Sequence, residues 1–186
     1  RHYAEVWLSL EPGERGSGIT FSADCPPNTL DLNWQRLIET HVFERTHPGV
    51  LTGSPLTDVR IRLIAGRAHL KHTEGGDFRE ATCRAIRNAL MQADNVLLEP
   101  VVRFELAMPL EALSRVTGEL LRIGAQLDAP ETEEDEVTLT GSCTAAMFWD
   151  YPTKFAASTR GHGRLMSDFW RYEPCRNQEE IVKKSG

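Results

Sequence analysis

Alternating apolar positions predict two strands at the start of the chain. Val6, Leu8 and Leu10 lie on one face over residues 2–10 and Glu5, Trp7 and Ser9 on the other, which is the period of a half-buried strand. A turn rich in glycine follows, and a second alternating stretch covers residues 19–23. The short turn between the two stretches predicts that they pair with each other as a hairpin.

The next apolar positions predict two helices on either side of an amphipathic strand. Helical spacing runs over residues 30–45, and strict alternation over 59–63 predicts a strand that ends in a turn at 65–67. The clearest helical pattern follows at 78–90, where apolar residues recur every three or four positions and arginines occupy the other face.

The second half of the sequence has a different order of elements. A boundary is expected near residues 98–100, where a Leu-Glu-Pro step separates the two patterns. Beyond it the pattern predicts strand, helix, strand, strand, helix and strand, at 102–106, 110–121, 125–129, 137–141, 145–158 and 163–172. This order is typical of the split βαβ, ferredoxin-like arrangement. The acidic run at 131–136 between two of the strands is expected to be a solvated loop.

Composition excludes several classes of protein. The chain has 186 residues, 40% of them hydrophobic and 26% charged, so a soluble core can form. Its net charge is −6, which argues against a uniformly basic nucleic-acid binder. Any RNA partner has to be recognised by a small local basic patch or by shape. No apolar run is long enough to span a membrane, and the four cysteines form no CxxC pair, which favours reduced thiols over a zinc clip.

Catalytic and nucleotide-binding motifs are absent from the sequence. It contains no phosphate loop, no GxGxxG turn, no GxSxG elbow and no HExxH helix. The densest cluster of chemically useful side chains is His69-Leu70-Lys71-His72. This cluster suits a binding protein, or part of a larger protein, and the absence of an initiator Met at a chain start inside a strand points to the latter.

From the residues alone, this cluster is equally well a surface loop with no specific role, and further alternatives for it and for Asp77 remain open. The two histidines are a general acid and base if Glu74 or Asp77 orients them. They are a metal pair if a third ligand is found elsewhere. Asp77 either caps the following helix or lies beside a phosphate held at the start of that helix.

Six short segments, in order along residues 2–173, resemble the fourth and fifth domains of bacterial elongation factor G. They are residues 11–18 (similar to EPLPRGSG in that family), 58–63 (VDIKVTL), 66–69 (GSYH), 97–100 (ILEP), 122–124 (RRGQI) and 159–163 (TQGRG). Within that superfamily, Asp77-Phe78-Arg79 resembles the ADFR of the ribosomal protection proteins that confer tetracycline resistance. The Glu173-Pro174-Cys175 turn is also similar to that subfamily.

The resemblance implies an α+β protein with two domains. The first is an elongated mixed βαβ arm of the ribosomal-protein type over residues 1–98, resembling domain IV of elongation factor G with its N-terminal strand truncated. The second is a ferredoxin-like βαββαβ domain over 99–175, resembling domain V, and a C-terminal tail covers 176–186.

The resemblance also implies where the ribosome is contacted. In the family, a loop at the tip of the arm enters the decoding region of the small ribosomal subunit, and the matching residues here are His69, Leu70, Lys71, His72, Thr73, Glu74 and Gly75. The fifth domain lies near the stalk base of the large subunit, and the matching residues are Arg160, Gly161, His162, Gly163 and Arg164. From the residues alone, this second segment is equally well a plain tight turn before the last strand.

These implications give an expected function. The chain is expected to be the ribosome-engaging part of a cytoplasmic, monomeric translational GTPase similar to the ribosomal protection proteins. It is expected to hold no catalytic residue, metal or cofactor of its own, while GTP and Mg²⁺ bind elsewhere in the parent protein. The alternatives are part of an elongation factor G paralogue acting in translocation or ribosome rescue and, more remotely, a small His-dependent enzyme. No membrane partner is expected.

Overall fold

The computed structural model describes residues 2–186 and divides them into two compact units, each with its own sheet. The first unit comprises the chain up to Leu97 together with segment 176–186, and the second comprises Leu98–Cys175. The polar tail therefore groups with the first unit, where the Leu97 N–H donates to Gln178 Oε1 at 2.8 Å. Each unit combines helices with one sheet, so the mixed α+β fold expected from the sequence is confirmed.

The first unit is a three-stranded sheet with helices. Its elements are β1 (Ala4–Pro12), β2 (Ile19–Ala23), α1 (Leu32–Phe43), β3 (Val59–Ala68), α2 (Gly75–Gln92) and a C-terminal helix (Gln178–Ser185). The strand order is β1-β3-β2, with β1 antiparallel and β2 parallel to β3. The expected hairpin between β1 and β2 is therefore wrong. The central strand is β3, which has two fully buried residues, Ile61 and Leu63. Because β2 and β3 are parallel, a crossover has to connect them, and α1 lies in that crossover.

The strand β3 is longer than its alternation predicted. The expected turn at 65–67 is wrong because β1 continues to pair with these residues, up to the partners Ala4 and Ala68. A Cβ atom on Gly66 would lie 2.7 Å from Leu30 Cδ2 and 3.0 Å from the Glu5 carbonyl oxygen. The glycine that suggested a turn is needed instead for close packing within the strand.

Two apolar clusters hold the helices against this sheet. Ile38 of α1, Leu63 of β3 and Phe78 of α2 meet in one cluster, and all three side chains are fully buried. Ile61 and Ile86 lie in the second cluster. The predicted helix over 78–90 is confirmed, although α2 begins earlier, at Gly75. The turn between β3 and α2 is thus tied at both ends to elements with buried side chains.

The second unit has the expected ferredoxin-like topology. Its elements are β4 (Leu98–Pro109), α3 (Leu113–Arg122), β5 (Gln126–Leu127), β6 (Glu131–Glu133), β7 (Glu136–Thr144), α4 (Ala145–Phe148), α5 (Tyr151–Ser158) and β8 (Arg164–Pro174). The strand order is β5-β7-β4-β8, with every pair antiparallel. The core between the sheet and the helices includes Phe104, Leu106, Val116, Leu120 and Phe155.

Two local predictions for the second unit need correction. The acidic run is exposed as expected, but it forms a hairpin in which β6 pairs with β7. The single helix expected over 145–158 is two helices, α4 and α5, which meet at Trp149-Asp150. Pro152 lies in the first turn of α5, where its missing N–H costs no helical hydrogen bond, whereas one continuous helix would lose that bond.

A membrane-spanning helix is not found in residues 2–186, because none of their helices combines the required length and apolar character.

Candidate functional site

The turn at 69–74 joins the end of β3 to the start of α2, and four of its six residues are exposed. Leu70 at its apex has a relative exposure of 105%, and His69, Lys71 and Glu74 are also exposed. His72 and Thr73 are half-buried. We call residues 69–74 the tip turn. Gly75, expected to belong to this loop, lies instead in the first turn of α2.

Hydrogen bonds close the tip turn on itself. The N–H groups of His72 and Thr73 both donate to the His69 carbonyl oxygen at 3.0 Å. In the opposite direction, the His69 N–H donates to Thr73 Oγ1 at 2.6 Å. The backbone of the turn is therefore ordered before a ligand binds, which removes the entropic cost of ordering that backbone on binding.

The tip turn is also anchored to the start of β1. The Tyr3 N–H donates to the His72 carbonyl oxygen at 2.9 Å, and the Thr73 hydroxyl donates to the Tyr3 carbonyl oxygen at 2.6 Å. Thr73 Oγ1 thus accepts one hydrogen bond and donates another. Sequence analysis missed the role of Tyr3, because the residue lies 70 positions from its partner and no local pattern reports such a contact.

The two imidazole rings of the tip turn stack on each other. The ring centroids of His69 and His72 are 4.6 Å apart, with an angle of 24° between the ring planes. His69 Nδ1 accepts a hydrogen bond from the Lys71 N–H at 3.2 Å, which places the proton of the neutral ring on Nε2. An aromatic surface beside an ammonium group suits an unstacked base and its phosphate.

Asp77, one of the two carboxylates named for the enzyme alternative, is engaged elsewhere. Asp77 Oδ2 accepts a hydrogen bond from the Glu74 N–H at 2.8 Å, and Asp77 Oδ1 lies 3.1 Å from His2 Nδ1. Asp77 therefore caps α2, as one of the two interpretations of the sequence predicted, and does not orient His69 or His72. Within residues 2–186, no group of three potential metal ligands comes together.

The second candidate segment closes α5 and leads into β8. Arg160 and Gly161 both have left-handed backbones, with φ values of 53° and 77°. The Gly161 N–H donates to the Ala156 carbonyl oxygen at 2.9 Å, and the His162 N–H donates to the Thr159 carbonyl oxygen at 2.9 Å. This is the backbone pattern of a helix end, for which glycine is the favoured residue.

The other glycine of this segment is explained by packing. A Cβ atom on Gly163 would lie 2.5 Å from Phe155 Cζ and 3.0 Å from Thr159 Oγ1. Arg164 forms an ion pair with Glu136 at 2.9 Å. The fold therefore accounts for both glycines, and the exposed Arg160 and His162 are the groups left available for an external contact.

Burial perturbs two groups that lie outside both turns. Desolvation, with a smaller contribution from Glu119, raises the pKa of Tyr151 well above its ordinary value. Desolvation and a hydrogen bond to Glu99 raise the pKa of Cys175 to about 11. All four cysteines are free thiols, and Cys25 and Cys143 are buried.

Comparisons with known families match the two halves of the chain in order. The profile described as "Elongation factor G, domain IV" matches residues 1–94, and the profile described as "Elongation factor G C-terminus" matches residues 96–181.

Two curated relatives share about a third of their matched residues with this chain. "Elongation factor G 2" of Desulfotalea psychrophila is 32% identical over 184 residues, which cover 98% of this chain and 27% of the relative. "Tetracycline resistance protein TetP" of Clostridium perfringens is 32% identical over 182 residues, which cover 98% of this chain and 28% of the relative. The chain thus spans little more than a quarter of the length of these relatives.

A solved structure has the same fold. A crystal structure of a Thermus thermophilus protein matches with a TM-score of 0.89 at 24% sequence identity, covering 97% of this chain and 27% of the other. The matched portion includes residues of both units.

Proposed function

Because the chain belongs to the elongation factor G family, as the resemblance in its sequence indicated, we propose that it is the ribosome-engaging C-terminal part of a longer translational GTPase. The share of the relatives that it spans, 27% and 28%, supports the view that the parent is longer. In this proposal GTP and Mg²⁺ bind to another part of the parent, since the sequence of this chain contains no phosphate loop.

The tip turn is the first proposed contact, with RNA of the decoding region of the small subunit. The single observation that carries this proposal is an exposed, internally closed turn at the residues that match the tip loop of the family. Its stacked imidazoles offer an aromatic face to an unpaired base, and Lys71 offers one charge to a phosphate. On a chain with a net charge of −6, such a contact has to be local.

The turn at 160–164 is the second proposed contact, with the large subunit near the stalk base. Arg160 and His162 supply the donors, and the left-handed backbone at Arg160 and Gly161 sets the direction of the turn. Phosphate oxygens of RNA are the expected acceptors.

The likeness to TetP favours a ribosomal protection role for the parent, and the equal identity to elongation factor G 2 favours a paralogue acting in translocation or ribosome rescue as a second candidate. Growth of a sensitive strain that expresses the full-length protein, with and without tetracycline, separates the two. Protection predicts growth at drug concentrations that stop the control strain. A paralogue predicts no change in drug tolerance.

Co-sedimentation with ribosomes tests the proposed contact at the tip turn. The test variant combines His69→Asn, Lys71→Gln and His72→Asn. The asparagine introduced at position 69 keeps an acceptor for the Lys71 backbone N–H, while both rings and the ammonium are lost. Loss of base stacking and of one phosphate contact predicts binding at least tenfold weaker, on the order of 1–3 kcal/mol per stacked base. The slope of log affinity against log salt is expected to fall by about 1.

A matched control keeps the result specific. Arg15→Gln removes one positive charge, as Lys71→Gln does, from an exposed position in the turn between β1 and β2. This control is expected to sediment with ribosomes as the unmodified chain does. Equal sedimentation of the tip variant and the control would remove the tip turn from the proposed function.

A further inference from the structure

A groove lined by arginines lies in the first unit, between the segment after α1 and the outer face of α2. Its volume is about 510 Å³, and its walls carry four arginines: Arg45, Arg79, Arg84 and Arg87. Glu80 is the one carboxylate among the lining residues. None of the candidate residues of the tip turn lines this groove.

The arginines differ in how far their charge is already paired. Arg79 Nε donates to Glu44 Oε1 at 2.9 Å, and Arg84 pairs with Glu80 at 2.6 Å. Arg45 and Arg87 form no ion pair with any carboxylate of residues 2–186. The groove therefore holds two uncommitted guanidinium groups on a chain that is acidic as a whole.

The pairs already present leave room for an anionic ligand. Arg84 and Glu80 are both strongly exposed, with side-chain exposures of 68% and 72%, and an ion pair of this kind exchanges readily for another partner. Arg79 is different, because Glu44 also accepts a hydrogen bond from His41 Nδ1 at 2.9 Å and holds the guanidinium in place. The groove thus combines one positioned arginine, two unpaired arginines, and Arg84, whose exposed ion pair can exchange for a ligand.

The spacing along α2 fits an extended polyanion. Arg79, Cys83 and Arg87 recur every four residues and so form one row on the helix surface. The row extends over about 12 Å of the helix axis, a length that covers several successive phosphates of a nucleic-acid strand. Gly76, at one end of the groove, has no heavy atom within 4 Å of the position its Cβ would take, which keeps that end open.

We propose that this groove binds the phosphodiester backbone of RNA, as a second contact of the first unit that is separate from the tip turn. Guanidinium groups bind phosphate with two parallel N–H donors, and a row of them reads charge and spacing rather than base sequence. The proposal rests on the proposed function in one respect: the RNA it would meet in the cell is taken to be ribosomal.

A thiol within the groove provides a local reporter. Cys83 lies among the arginines and is partly exposed. Cys25 and Cys143 are buried, and Cys175, the other partly exposed thiol, does not line the groove. RNA bound in the groove is therefore expected to slow alkylation of Cys83 by N-ethylmaleimide and to leave alkylation of Cys175 unchanged.

The test measures binding of the chain to a short, fluorescently labelled RNA hairpin at several salt concentrations. The variant Arg45→Gln/Arg87→Gln removes the two unpaired guanidiniums, and Arg15→Gln/Arg36→Gln removes the same charge from two exposed positions outside the groove. The groove variant is expected to lose about 1.5 from the slope of log affinity against log salt and to lose the protection of Cys83. The control is expected to retain both.

Three outcomes would overturn the proposal: an unchanged salt slope in the groove variant, protection of Cys83 that survives in that variant, or competition by polyglutamate as effective as that by RNA. The last outcome would indicate an acidic protein partner instead. The tip variant described above is expected to keep protection of Cys83. If the chain does not sediment with ribosomes but still binds the hairpin through Arg45 and Arg87, the proposed function is wrong and the proposal that the groove binds RNA is supported.

Discussion

Replacing Thr73 with valine removes one oxygen from the tip turn and leaves the shape of the side chain almost unchanged. That oxygen accepts a hydrogen bond from the His69 N–H and donates one to the Tyr3 carbonyl oxygen, each at 2.6 Å. In Thr73→Val both backbone groups lose these partners. The anchoring of the turn to β1 then depends on the single bond from the Tyr3 N–H to the His72 carbonyl oxygen.

The expected cost follows from the two lost bonds. Each contributes about 0.5–1.5 kcal/mol net, and the half-buried position of Thr73 lets water replace part of that contribution. We therefore expect the free energy of opening the turn to fall by about 1–2 kcal/mol, which corresponds to roughly a 5- to 30-fold rise in the open population. The loss is local, since no buried apolar side chain changes.

Amide hydrogen exchange followed by NMR measures this opening directly. In Thr73→Val the amides of His69 and Tyr3 are expected to exchange about 5 to 30 times faster, while the amide of Ile86 within α2 is unchanged. Thr73→Ser keeps the hydroxyl and is expected to behave like the unmodified chain. Unchanged exchange at His69 in the valine variant, or equal acceleration at Ile86, would refute the claim that Thr73 fastens the turn.

Three further predictions concern other parts of the molecule. Gly163→Ala is expected to lower the free energy of unfolding in urea by about 1–3 kcal/mol, because the new methyl group overlaps the Phe155 ring. Gly161→Ala is expected to lower it by about 1–2 kcal/mol, because of its left-handed backbone alone. If both variants lost as little stability as an ordinary surface substitution does, the packing account would be contradicted. Arg79, and secondarily His41, lower the pKa of Glu44. The carboxylate therefore stabilises the fold at pH values above its ordinary pKa, and this stabilisation is lost as the pH falls through the lowered pKa. Between about pH 5 and about pH 3, the urea midpoint of the unmodified chain is expected to fall more than that of Glu44→Gln. The raised pKa of Cys175, about 11, predicts slow alkylation near neutral pH and a rate that increases up to about pH 11. A rate already on its plateau at pH 8 would be inconsistent with a partly desolvated thiol beside Glu99.

The sequence predicted those elements whose pattern is local. The helix α2 buries Phe78, Thr82, Ile86 and Leu90, one residue per turn, and that period is visible in the sequence without any partner. The pairing of β2 was not predictable in the same way. The alternation of β2 indicates a strand but does not indicate which strand it pairs with. Its pairing with β3 depends on the burial of β3 and on the crossover through α1.

A single glycine or proline in the sequence is compatible with more than one local structure. Gly66 was interpreted as part of a turn, yet it serves close packing against Leu30 inside β3. Pro152 lay within an otherwise helical pattern and divides it into α4 and α5. In both cases the structure selects between two uses of one residue type, and that selection depends on residues distant in the sequence.

The candidate site also combines features that are local in the sequence with features that depend on distant residues. The cluster of histidines and lysine at 69–72 was visible in the sequence because these residues are adjacent in the chain. Its expected contact with RNA came from the family resemblance and stays a prediction. The bridge from Thr73 to Tyr3 and the groove that joins Arg45 to Arg87 were not found, since each brings together residues from separate elements. The sequence reports side-chain chemistry at a position, whereas these features depend on how strands and helices pack.

Directed hydroxyl-radical probing from position 70 tests the central claim most directly. Leu70 is fully exposed and can be replaced by a cysteine that carries a tethered iron chelate, in a chain whose partly exposed thiols, Cys83 and Cys175, are changed to serine. With ribosomes, the account predicts strand cleavage in the small-subunit RNA around the decoding region. Cleavage confined to large-subunit RNA, or none although the chain sediments with ribosomes, would contradict it.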